Sequence, residues 1–147
     1  MIRVVGLLLV AGLVLSACGT QSEAKAMSGW VKQSEFHANT MTLMADVHHS
    51  ATALEDPSSS AHELHLVCGV LVTDTEEANA SLPTPDTQST SLLSRAYTDI
   101  GAGANTCFGA GANAVVRTKA LGYLQKGLGE LSEAVLRVDV AAGRSPH

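Results

Sequence analysis

Residues 121–138 read LGYLQKGLGELSEAVLRV. Leu121, Leu124, Leu128, Leu131, Val135 and Val138 fall three or four residues apart along the whole stretch. That spacing brings side chains onto one face of an α-helix, whereas a half-buried strand would alternate with period two. The preceding Gly-Ala-Gly-Ala-Asn occurs twice, at 101–105 and 109–113. Glycine costs a helix about 1 kcal/mol per site relative to alanine, so a helix break is expected near the second copy.

Upstream of that break a second periodic segment carries Leu92, Leu93, Ala96, Tyr97, Ile100 and Ala104 towards Cys107. It follows Leu82-Pro83-Thr84-Pro85-Asp86, where Thr84 suits an N-cap, Pro85 a first helical position and Asp86 the positive end of the helix dipole. A third segment opens on the capping box Ser60-Ala61-His62-Glu63 and places Leu64, Val67, Cys68, Leu71, Thr75 and Ala78 on one face. Its LHLVCGVLV run also suits a strand, but the cap and the TEEANA tail favour a helix. The first segment runs from about Ala24 to Leu54 and ends at Asp56-Pro57-Ser58, where proline halts the ladder. It bears two stripes: Met27, Val31, Ser34, Ala38, Met41, Ala45, His48, and Phe36, Leu43, Val47, Leu54. Four amphipathic helices on short links predict an all-α, up-down-up-down four-helix bundle over residues 26–141, with a frayed tail at 142–147.

The chain has 147 residues, 46% of them apolar, which is one domain with a core. Aromatics are only 3%, which disfavours β-sandwiches and base-stacking platforms. Net charge is −5 and there is no basic run, so nucleic acid is not an expected partner.

The N-terminus reads MIRVVGLLLVAGLVLSAC. Arg3 precedes an apolar run from Val4 to Leu15 that is too short for a permanent membrane span. Leu15-Ser16-Ala17-Cys18 then resembles the lipobox of bacterial lipoproteins at all four motif positions. The resemblance implies a signal peptide at 1–17, cleavage before Cys18, and diacylglycerol and acyl chains such as palmitate on that cysteine. Those chains would be the only cofactor-like groups expected. Two or three of them hold a protein to a membrane far better than one, since each buried CH₂ contributes about 0.8 kcal/mol. The implied address is the extracytoplasmic side of the cell membrane. Residues 18–25 then read as the lipidated cysteine and a flexible tether. The Cys…Leu-Pro-Thr-Pro-Asp…Cys arrangement is similar to small helical envelope lipoproteins of actinobacterial, mycobacterial type, a likeness that implies no activity.

With Cys18 acylated, Cys68 and Cys107 remain as an even pair in an oxidising compartment, and a disulfide is expected between them. Two clusters invite a metal. His37, Met41, Met44 and His48 lie four, three and four residues apart on one helical face, and thioethers with imidazoles suit Cu(I). His62 and His65 lie one turn apart, and an antiparallel turn at Pro57 would bring His48 or His49 to them, as zinc accepts. The plainer alternative is methionine as core filler and histidines in water. Gly109 to Ala114 fits G-x-G-x-x-A by letter but lacks the preceding strand. No Gly-x-Ser-x-Gly elbow or His-Glu-x-x-His is present. The sequence thus points to a non-catalytic, lipid-anchored interaction module of the envelope with an unnamed partner. A Cu- or Zn-binding protein and a small-molecule or lipid carrier are the alternatives.

Overall fold

A computed structural model describes residues 16–144, with side chains from residue 22. The leader before residue 16, the Cys18 side chain and residues 145–147 lie outside the described residues. Five helices follow one another: α1 (Ser16–Gln33), α2 (Phe36–Glu55), α3 (Ala61–Ala80), α4 (Thr87–Phe108) and α5 (Ala114–Ala141). Among the described residues there is no strand, and no helix is long and apolar enough to cross a membrane.

The number of helices corrects the sequence reading, because the first segment is two helices rather than one. Glu35 adopts a left-handed conformation (φ 48°), which breaks the ladder between α1 and α2. Ser34 closes α1 by donating its hydroxyl to the Trp30 carbonyl (2.8 Å), and Asn39 Nδ2 reaches back to the Ser34 carbonyl (2.9 Å). The break also explains the two stripes. Met27 and Val31 of the first stripe are buried on α1, and Phe36, Leu43, Val47 and Leu54 of the second are buried on α2. Ala38, Met41, Ala45 and His48, which continue the first stripe past the break, are exposed. A single left-handed residue rotates the chain enough to move burial from one stripe to the other.

α1 occupies the segment read as a tether, since its helix begins at Ser16. At the other terminus Ala142, Gly143 and Arg144 donate backbone N–H groups to Val138, Val140 and Asp139, closing α5 with Gly143 at φ 74°. These three residues of the expected frayed tail are therefore a helix stop.

The helix starts follow capping chemistry. Ser60 accepts from the Glu63 N–H (3.1 Å) and opens α3 as the capping box predicts. The α4 cap is Asp86, not Thr84: its carboxylate accepts from both the N–H and the hydroxyl of Ser89 (2.7 Å each). Thr84 spends its hydroxyl on the Asp86 carbonyl (2.6 Å) instead. Asn113 caps α5 through Val115 and Val116 (3.1 and 3.2 Å), which places the break at the second Gly-Ala-Gly-Ala-Asn.

α2 packs on α3, α3 on α4, α4 on α5 and α5 on α2, while α1 rests on α2 and α5. The α4–α5 seam is the tightest. On α4 the buried residues include Ser89, Leu93, Ala96, Ile100, Gly103 and Cys107; on α5 they are Arg117, Ala120, Leu124, Gly127, Leu131, Ala134 and Val138. Each series steps alternately by three and four, with small residues recurring between large ones. Leu124, Leu131 and Val138 of the expected leucine stripe are fully buried, but Leu121, Leu128 and Val135 only partly. Ala120, Gly127 and Ala134 take the centre of the seam because they let the two backbones approach.

Candidate functional site

Three groupings of polar and reactive side chains are built by the fold. The first is the Cys68–Cys107 disulfide, which joins α3 to α4 with a Cα–Cα distance of 5.9 Å; both residues are fully buried. Just above it, the His65 ring lies against Phe108 with centroids 3.6 Å apart. Gly69, one turn beyond His65, leaves the room that Phe108 fills, since a Cβ there would meet the phenyl edge at 3.3 Å.

The second is Arg117, and the sequence reading missed it. It sits in the first turn of α5, with 8% of its surface exposed. Its Nε donates to the Gly111 carbonyl (2.8 Å), one terminal nitrogen to the Asp56 carbonyl (2.8 Å) and the other to the Ser59 carbonyl (2.6 Å). One guanidinium thereby ties the α2–α3 turn to the α4–α5 turn. The planar fork suits three acceptors in a way that a lysine cannot. A signal was there to be read: a cation in the first turn of a helix opposes the dipole, which marks it as serving something else. A cleft of about 430 Å³ lies beside it, walled by Leu54, Pro57, Ala61, Ala114 and Leu121.

The third lies at the opposite end. Arg137 grips the Asp86 carboxylate with two nitrogens (3.0 and 2.7 Å), clamping the end of α5 to the start of α4. The Arg137 hydrogen bonds, helped by Ser89, hold the Asp86 carboxyl well below the usual carboxylate range. Beside it His37 approaches Asp139 (3.4 Å) and contacts Arg144, joining the start of α2 to the end of α5. A second cleft, of about 470 Å³, separates α1 from this end and is lined by Glu23, Ala24, Met27, Asp86, Arg137 and Val140.

The predicted metal residues sit in different surroundings. His37 is engaged with α5, Met41 is 73% exposed, and Met44 packs partly buried against the core. His48 and His49 are exposed on α2, and His62 and His65 are exposed at the start of α3. The expected gathering of His48 or His49 with His62 and His65 is not formed: no group of three His, Cys, Asp or Glu side chains that could hold a metal occurs among the described residues. The four-residue His/Met face shares one helix but not one environment, because α2 turns His37 and Met44 towards neighbours and leaves Met41 and His48 in water.

Carboxylates are also arranged in pairs. Burial, together with Asp46 across the α2–α3 seam, pushes the Asp74 carboxyl up to about 6. On the α4–α5 surface, Lys126 bonds Asp99 (2.8 Å) and holds that carboxyl down, while burial beside Asp99 raises Glu130. The Gly109–Ala114 segment is a turn that follows a helix, with Gly111 at φ 50°, so its G-x-G-x-x-A letters build no strand-to-helix phosphate loop.

No family model, curated protein or solved structure matches the chain.

Proposed function

We propose that the chain is a lipid-anchored, non-catalytic binding module held on the extracytoplasmic face of a cell membrane, with another envelope component as its partner. In this reading residues 1–17 are removed, Cys18 carries the acyl chains, and α2–α5 form an up-down-up-down four-helix bundle on which α1 is laid. The bundle topology is supported by the contacts at the two ends. Arg117 at the start of α5 reaches the end of α2, and Arg137 at the end of α5 reaches the start of α4.

The observation that carries the compartment is the buried Cys68–Cys107 bond, which closes a 39-residue separation. Such bonds persist in oxidising compartments and are rare where thiols are kept reduced. Leu15-Ser16-Ala17-Cys18 supplies the anchor, and α1 leads from that cysteine straight into the domain.

The deciding experiment is mass spectrometry of the protein isolated from its own membrane. The expected N-terminal peptide begins at Cys18 and carries diacylglyceryl and acyl mass. An uncut leader, or an unmodified Cys18, would overturn the reading.

A further inference from the structure

The anchor and the fold together orient the domain. Ala24 on α1 lies against the α5 stop, where a Cβ on Gly143 would be 3.8 Å from its own Cβ. Cys18 precedes Ala24 by six positions. Whatever their conformation, those residues reach at most about 21 Å. The 28 residues of α5 extend about 42 Å from that end. The Gly143 end of the molecule is therefore confined near whatever holds Cys18, while the Ala114 end is free to stand away.

The confined end carries exposed apolar surface, as α3 does at Leu66 and Val70, but only the α5 pair lies beside the path to Cys18. Leu136 and Val140 are one turn apart on α5 and remain 53% and 51% exposed. Val140 lines the same cleft as Glu23, Ala24 and Met27 of α1, so the stripe lies beside the path to the anchor. The charges around it are mixed: Arg144 beyond the α5 stop is paired with Asp139 (3.6 Å), Glu23 lines the same cleft as Val140, and Lys25 next to Ala24 is exposed. Exposed apolar side chains held this close to an acylated cysteine suit the boundary between headgroups and acyl chains.

We infer that the Leu136–Val140 stripe docks on the bilayer that holds the Cys18 acyl chains, so that the end bearing Arg117, His65 and Phe108 faces away from the membrane. This rests on the lipid-anchor reading. The partner of the stripe is the phospholipid surface itself.

The test uses the full-length chain, processed in a lipoprotein-producing host and reconstituted into phosphatidylcholine–phosphatidylglycerol vesicles. Val140→Cys and Val115→Cys each add one thiol at an exposed site for an environment-sensitive dye. Headgroup-nitroxide lipid is expected to quench the dye at 140 roughly threefold or more beyond that at 115, since most of the ~42 Å of helix separates them. Equal quenching at the two sites, stronger quenching at 115, or a dye at 140 shielded only by a second copy would overturn the inference. The parent chain keeps the two failures apart. If Cys18 takes up dye, or the protein fails to float with the vesicles, the anchor reading itself falls and the inference with it.

Discussion

Gly127 on α5 lies directly against Ile100 on α4: a Cβ at 127 would sit 2.6 Å from Ile100 Cγ1 and 2.9 Å from its backbone nitrogen. The backbone nitrogen cannot swing aside, so Gly127→Ala must push the helices apart. The expected loss is about 1–3 kcal/mol, despite alanine's better helix propensity. Gly122, on the same helix, has nothing within 4 Å of its missing Cβ, and Gly122→Ala should gain up to about 1 kcal/mol. Urea denaturation of the two variants reads the contrast. A stabilised Gly127→Ala would show that the seam is looser than described.

Arg117 should behave as a structural residue. Arg117→Met keeps much of the stem but leaves the carbonyls of Asp56, Ser59 and Gly111 without their donor. A loss of about 1–3 kcal/mol is expected, mainly from the buried Ser59 carbonyl left unsatisfied, since the Asp56 carbonyl keeps the Ser59 N–H. Hydrogen exchange should accelerate first in the 56–61 and 109–114 turns. Arg117→Lys should recover only part of the loss. A full recovery would mean that charge alone is what matters there.

Reduction of Cys68–Cys107 should lower stability by roughly 4 kcal/mol in the chain-entropy account of a loop this long. The double variant Cys68→Ala with Cys107→Ala should melt at a similarly lowered temperature and become insensitive to reductant. A parent chain whose melting does not respond to reductant would argue against the bond.

Two carboxyls make opposite contributions to the pH profile. Asp86 is held below its unfolded value of 3.8 by Arg137, so its stabilisation is fully present above that value and is lost as pH falls below it. Asp74 is raised from 3.8 to about 6, so the folded state binds the extra proton. Its contribution is favourable below pH ~4 and is lost as pH rises through about 6. Asp74→Asn should therefore flatten the slope between those values and add about 1–2 kcal/mol at pH 7, after allowing for solvent screening. Asp86→Asn should cost stability at neutral pH and shrink the acid limb, to which Asp99 still contributes. Denaturation midpoints measured from pH 3 to 8 check both signs.

The helical period was legible wherever an apolar stripe ran unbroken. Leu92 through Cys107 are buried as spaced, and Ser60 caps α3 where its box stands. The α1–α2 break was not legible, because Ser34 and Glu35 carry no glycine or proline to announce it. Two competing stripes were the trace it left. Asp86 displaced Thr84 as a cap because a carboxylate serves Ser89 and Arg137 at once, and Arg137 lies 51 positions away. The predicted metal residues differ in exposure because sharing a helix face fixes direction along one axis only, and which neighbour fills that direction is set by packing.

The helical period of α3, α4 and α5, the Ser60 cap and the break at the second Gly-Ala-Gly-Ala-Asn were determined by the order of residues alone. Those choices depend on dihedral preference and on neighbours within a turn or two. Which side of each helix is buried, which glycines are obligatory and which arginine ties the turns was decided by tertiary structure. Close packing is a property of facing surfaces, and Gly127 needs Ile100, 27 positions earlier, to give its missing Cβ a meaning.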